Sequence, residues 1–271
     1  MSICLANLRA YPGSGWAVLS VILARPLVLL RLLIAVFICG LPDSAFAGAF
    51  SVDPTRIELS KSIPSAVMQV VNSSDKNTTV QLHIMHWSQV DGEDSLKPTR
   101  DLVATPQIFN LKAGATQIIR VGLLRKIDEP AEAAYRMIIE EIPPPPSPEF
   151  VGFQVALKIS IPIFFTSESI SKSKQKIQIN LSRPKGEATQ VIQLDMQNSG
   201  LSHVQFLGMQ LFADDDSANL LANYENNVYV LAGKKKILLI KSTKHLGGTG
   251  VLIKAKTNSG IMEFHAKPGL P

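Results

Sequence analysis

The sequence predicts an all-β protein made of two β-sandwich domains. Strand-like alternation of apolar and polar residues runs almost throughout, turn-forming clusters interrupt it every ten residues or so, and no helical pattern exceeds about two turns. Val67-Met68-Gln69-Val70-Val71 is the first clear apolar run, and it ends at the turn formers Asn72 to Asn77. Val80-Gln81-Leu82-His83-Ile84 alternates cleanly after it. Ile108-Phe109-Asn110-Leu111 leads through Lys112-Ala113-Gly114 to Gln117-Ile118-Ile119-Arg120-Val121. Tyr135 to Ile142 is a further strand, stopped by Pro143-Pro144-Pro145-Pro146. Short strands punctuated in this way point to a sandwich.

The stretch from Phe150 to Phe165 departs from the rule of short strands. Gly152 aside, it carries no turn signal, and it is about three times the usual five or six residues. Side chains alternate faces along a strand. Phe153, Val155, Leu157, Ile159, Ile161, Ile163 and Phe165 therefore form one apolar ladder, while Gln154, Ala156, Lys158, Ser160, Pro162 and Phe164 form the other, mostly small or polar, face. Thr166 to Gln175 is rich in Ser and Lys and reads as a linker. Strand patterning resumes at Lys176-Ile177-Gln178-Ile179 and continues to Ile261-Met262-Glu263-Phe264. The expected division is residues 48–167 for the first domain and 168–271 for the second.

Residues 1–47 read as an export signal. Arg25 and Arg31 precede the apolar run Leu32 to Leu41, and Ala45 and Ala47 satisfy the small-x-small cleavage rule, which places cleavage after Ala47. The run of about ten residues is short for a bilayer, where roughly 20 are needed, so no membrane insertion is expected after cleavage. The whole chain carries a formal charge of +5. Arg9, Arg25, Arg31 and Asp43 leave with the signal, and the remainder is only mildly basic. Its arginines are scattered, so nucleic acid is not an expected partner. Lys234-Lys235-Lys236 reads as a turn or solvated edge. Cys4 and Cys39 both lie in the signal, which rules out a disulfide, a thiolate nucleophile or a cysteine-bound metal in the remainder. Stability then rests on apolar burial.

At this point the chain resembles a known family, the PapD-like periplasmic chaperones of chaperone–usher pili. Phe50-Ser51-Val52-Asp53-Pro54-Thr55-Arg56-Ile57-Glu58-Leu59 resembles the family's first strand with its Thr-Arg pair. Thr105-Pro106-Gln107-Ile108-Phe109-Asn110-Leu111-Lys112-Ala113-Gly114 resembles its P-x-x-F-x-L-x-P-G segment. Tyr135-Arg136 through Glu141-Ile142-Pro143 resembles the E-I-P ending of strand F, and the long alternating strand from Phe153 resembles the donor strand G. Tyr135-Arg136 with Ser160-Ile161-Pro162 looks closest to the archaic branch. The resemblance covers nearly all of the first domain, and the second only by position and class.

The resemblance implies two immunoglobulin-like domains in an L-shape, pilus subunits and an outer-membrane usher as partners, and a periplasmic location. It implies no cofactor and no catalysis. It also implies that the donor strand lends Phe153, Val155, Leu157 and Ile159 to a subunit, whereas Ile161, Ile163 and Phe165 serve their own core. In the family an arginine of the first strand and a lysine of strand G anchor the subunit's C-terminal carboxylate. Arg56 matches the arginine. The lysine position falls on Pro162, which carries no charge and donates no backbone bond. Lys158, on the same side of the strand, and Arg136, on the preceding strand, are the candidates for the second cation.

Other constellations are poor. His83 and His86 are three apart on a strand and point to opposite faces. Asp214-Asp215-Asp216 lacks the spacing and glycine of a calcium loop. No nucleophile elbow, phosphate loop or H-E-x-x-H motif occurs, Glu140 and Glu141 diverge, and no metal site is expected. The competing readings are a structural or adhesive cell-surface sandwich and a carbohydrate-active enzyme. The first would be expected to have a single domain with its own extension, and the second needs converging carboxylates.

Overall fold

The computed structural model describes residues 50–267, apart from 129, 144, 146–154, 168–169, 171–175, 183, 185–189, 214–218 and 245–249. The export signal, Phe153 and the Asp214–Asp216 run lie outside the described residues. The first half of the chain forms β1 (Phe50–Asp53), β2 (Ile57–Leu59), β3 (Ser65–Asn72), β4 (Thr78–Val90), β5 (Glu93–Pro98), β6 (Leu102–Thr105), β7 (Ile108–Leu111), β8 (Thr116–Leu123), β9 (Ala133–Ile142) and β10 (Lys158–Phe165). The second half forms β11 (Ile177–Ser182), β12 (Val191–Asn198), β13 (Val204–Ala213), β14 (Leu220–Tyr224), β15 (Val228–Val230), β16 (Lys235–Lys241), β17 (Val251–Thr257) and β18 (Gly260–Ala266).

Each half is a pair of sheets around its own core. In the first, the sheet β1-β3-β8-β6 faces the sheet β2-β10-β9-β4-β5, with β7 added beside β4. The alternation of β3 puts Met68 and Val70 inside, where they meet Ile119, Val121, Met137 and Ile163, while Val67 and Gln69 face out. In the second, β11-β12-β16 faces β14-β13-β17-β18, with β15 added beside β13, around Leu194, Phe206, Leu211 and Ile253. An all-β protein of two sandwiches was expected, and that is the architecture.

β10 runs from Lys158 to Phe165, shorter than the stretch beginning at Phe150 that the alternation suggested. Val155 to Leu157 precede it without strand geometry, although Glu141 N–H still donates to the Leu157 carbonyl at 2.9 Å. The partner sets the limit. Lys158 lies opposite Glu140 on β9, and β9 stops at Ile142, where the prolines begin. Upstream of Ala156 there is thus no β9 left to pair with.

The outer face of the β10-β9-β4 layer meets the second sandwich. Phe164, Ala134 and Trp87 form a small separate cluster with Leu231 and Tyr229. Phe164 stacks on His203 with ring centroids 3.8 Å apart, and His203 Nδ1 lies 2.6 Å from Glu132 Oε1. Gln89, buried on β4, pins the β15 segment from both ends of its amide: Nε2 donates to the Tyr229 carbonyl at 2.8 Å, and Oε1 accepts from Leu231 N–H at 3.0 Å. The two-residue turn Asp91-Gly92 joins β4 to β5 with φ of 52° and 85°, the paired positive values of a type I′ hairpin. Its tip reaches β16, where Ile237 N–H donates to the Gly92 carbonyl at 3.1 Å. A Cβ on Gly92 would lie 2.4 Å from Ile237 Cγ1, so only glycine fits this approach.

Candidate functional site

The two edges of β10 differ. One side pairs with β9 along its whole length. On the other, only Ile163 to Phe165 pair, in parallel, with Ile57 to Leu59 of β2. Because backbone groups alternate sides and Leu157 faces β9, the even-numbered residues present their N–H and C=O groups to the opposite edge. Phe164 meets β2 there. The backbone groups of Lys158 and Ser160 meet no strand among the described residues, and both residues are exposed. Pro162 has no N–H to leave unpaired at this edge.

A cleft of about 1010 Å³ opens beside that edge, between the two sandwiches. Ser160 and Pro162 of β10 form part of its wall, together with Arg56 from the turn before β2 and Arg136 from β9. Tyr229, Lys236 and Leu238 of the second sandwich face them. The acidic residues of the wall are largely spoken for, since Lys236 Nζ lies 3.2 Å from Glu93 and 3.5 Å from Asp94. The lysine run expected to be a turn or solvated edge thus contributes a half-buried cation to the joint.

The two arginines are held in different ways. Arg56 is exposed and pairs with Glu58 at 3.0 Å. The side chain of Arg136, opposite Pro162 in the β9–β10 register, makes no hydrogen bond or ion pair among the described residues. Its guanidinium lies 3.7 Å from the centroid of Trp87 and 5.3 Å from that of Tyr229. Burial lowers the Arg136 pKa from the ordinary arginine value, against the opposing influence of Tyr229 and Asp94. Burial likewise pushes the Tyr229 phenol up, against the pull of Arg136 and Arg56. Both cations therefore act on one phenol.

The expected site residues separate in space. Arg56 and Arg136 share the cleft. Lys158 does not line it and lies 3.7 Å from Glu140 on the outer surface. Val155 is 86% exposed, the most exposed large apolar side chain among the described residues. Leu157 is half-buried, and Ile159 is half-buried against the first core. Ile161, Ile163 and Phe165 are buried in that core. Sequence reasoning passed over Trp87, Gln89, Phe164, His203 and Tyr229, which build the joint behind the cleft. Phe164 carried the one available signal, a large apolar group on the otherwise polar face of its strand.

The unpaired edge at Lys158 and Ser160 and the cleft that holds Arg56 and Arg136 thus lie side by side where the two sandwiches meet. Residues 49–171 match the family described as pili and flagellar-assembly chaperone, PapD N-terminal domain. The first sandwich is therefore a PapD N-terminal domain of the kind found in pilus-assembly chaperones, a family that is not one of enzymes. Among solved structures, the fold is similar to a chain of the CsuC-CsuE chaperone-tip adhesion subunit pre-assembly complex from the archaic chaperone-usher Csu pili of Acinetobacter baumannii, with TM-score 0.61, 15% identity, and 82% of this chain and 100% of that chain covered. It is also similar to the YadV chaperone (TM-score 0.54, 15% identity, 81% and 100% covered). A chain of the Salmonella enterica SafA pilin–SafB chaperone complex is a third such structure (TM-score 0.54, 15% identity, 80% and 95% covered). No curated protein matches the chain in sequence.

Proposed function

We propose that this chaperone acts in the periplasm, binds pilus subunits of the archaic type by lending them a strand, and delivers them to an outer-membrane usher. The observation that carries the reading is the unpaired edge at Lys158 and Ser160 beside a cleft holding both Arg56 and Arg136. A subunit that is an incomplete sandwich exposes an apolar groove and an unpaired edge, and such an edge aggregates unless it is paired. Strand addition satisfies the backbone and fills the groove together. Phe153, Val155, Leu157 and Ile159 are the side chains proposed to enter the groove. Each large apolar group buried contributes roughly 1.5–3 kcal/mol before association costs are subtracted. The exposure of Val155 and half-exposure of Leu157 support this assignment.

Arg56 and Arg136 are proposed to anchor the subunit's C-terminal carboxylate. Charge-assisted bonds to carboxylate are roughly twice as strong as neutral ones, and guanidinium can make them in pairs. Lys158 sits further out along the same edge, where it can steer the incoming chain. The test is co-expression with a subunit encoded beside the chaperone, followed by isolation of the soluble complex. Leu157→Asp is expected to abolish the one-to-one complex while leaving the urea unfolding midpoint of the chaperone within error. A Leu157→Asp variant that captures subunit normally overturns the assigned face.

A further inference from the structure

The second sandwich has a part in the proposed anchor, although neither of its cations is there. Arg136 is a partly buried charge with no hydrogen bond or ion pair among the described residues. Such an arrangement is costly unless something compensates it. Two aromatic rings do. Trp87 lies under the guanidinium from the first sandwich, and Tyr229 lies beside it from the second. The rings themselves meet edge to face, with centroids 5.3 Å apart. A guanidinium stacked on a ring face keeps its in-plane N–H donors available, so it can still take a carboxylate through two parallel bonds.

Tyr229 is fixed by more than its own strand. Gln89 of the first sandwich accepts from Leu231 N–H and donates to the Tyr229 carbonyl, so the β15 segment is held at a set distance from β4. Trp87, two residues before Gln89 on β4, is 2% exposed and sealed against Phe164. We infer that Tyr229, held by Gln89 and acting with Trp87, is a positioning residue that presents Arg136 to the terminal carboxylate of the bound chain. The joint between the sandwiches is on this account part of the recognition site. This inference rests on the proposed capture of a carboxylate-ended strand.

The probe is a synthetic peptide of alternating valine and serine with a free C-terminal carboxylate, compared with the same peptide ending in an amide. The ratio of the two affinities reads the anchor alone, because backbone pairing and apolar contacts are common to both. The unaltered chaperone is expected to prefer the acid by about tenfold or more. Arg136→Ala should erase the preference. Tyr229→Ala should reduce it about three- to tenfold, and Tyr229→Phe, which keeps the ring face, should restore it. Tyr229→Leu fills the space without a π face and takes the place of Tyr229→Ala if that variant fails to fold, as judged by near-ultraviolet circular dichroism. If a folded Tyr229→Ala or Tyr229→Leu protein discriminates as well as the unaltered one while Arg136→Ala does not, the positioning role is wrong and the carboxylate anchor stands. If the unaltered protein binds acid and amide equally, the anchor fails and the positioning role with it.

Discussion

The last three residues of β10 and the five before them belong to one strand but occupy different surroundings. Ile163, Phe164 and Phe165 are buried, flanked by β9 on one side and β2 on the other. From Lys158 to Ser160 only the β9 side is paired, and exposure alternates with half-burial. The sealed part packs into the first sandwich, and the open part is the edge proposed to pair with another chain. Burial along the strand therefore separates the core from the proposed recognition edge, with Ile161 and Pro162 at the crossing point.

Substitutions in the two parts should differ most in what they do to folding. Ile163 is fully buried among Ile57, Met137 and Tyr135, so Ile163→Ala removes core contacts and leaves a cavity. It is expected to lower the unfolding free energy by about 2–5 kcal/mol. Val155→Ala should change it by less than about 0.5 kcal/mol while weakening subunit capture. Urea melts of both variants, read by circular dichroism, check the contrast. Equal destabilisation would mean that the exposed end of this ladder is as much a part of the core as the buried end.

A smaller effect probes what stands behind the sealed part. Tyr135, opposite Ile163 in the register, donates its hydroxyl to Asp101 Oδ2 at 2.8 Å, and Arg125 pairs with the other carboxylate oxygen. Burial alone would raise the Asp101 pKa, but the bonds from Arg125 and Tyr135 outweigh it and the net direction is down. A carboxyl whose pKa is lower when folded than when unfolded stabilises the fold above its unfolded value of about 3.9. That contribution is lost as pH falls below it through the lower folded value. Asp101→Asn should therefore cost roughly 1.5–3 kcal/mol at neutral pH, and the gap to the unaltered protein should close as the pH drops below the unfolded value. Val155→Ala should keep the acid sensitivity of the unaltered protein. A gap between Asp101→Asn and the unaltered protein that stays constant with pH would count against Asp101 as the source.

The sealed part was legible in the sequence, because strict alternation of large apolar groups at Ile161, Ile163 and Phe165 has few outcomes other than a core. Arg56 was singled out through the resemblance of Thr55-Arg56 to the family's pair, and it lies in the turn between β1 and β2, on the wall of the cleft. The length of β10 was misjudged because alternation reports which face a residue takes and says nothing of where the neighbouring strand ends. That end comes where β9 stops at Ile142, just before Pro143. The joint was illegible for a related reason. Gln89, Trp87 and Tyr229 come together only through the docking of two sandwiches, and nothing near Tyr229 in sequence announces a partner on β4. Asp91-Gly92 is a hairpin signal that went unread, and its glycine is also what lets the tip approach Ile237.

The smallest expected effect concerns Lys158, where the open part is most exposed. Its ammonium lies 3.7 Å from Glu140 with both side chains largely in water, and pairs of this kind contribute about 0–1 kcal/mol. Lys158→Ala should leave the urea midpoint nearly unchanged. Lys158 does not line the cleft that holds Arg56 and Arg136, so the variant should also keep its preference for a carboxylate over an amide terminus. What it should lose is the part of the association rate that salt screens, since an exposed charge at the rim of a binding edge acts on encounter more than on the final complex. Association measured at low and at physiological salt, for Lys158→Ala and the unaltered protein, checks this. A loss of acid preference in Lys158→Ala would move the anchor out of the cleft and onto the strand edge, and the boundary between the two parts of β10 would have to be redrawn.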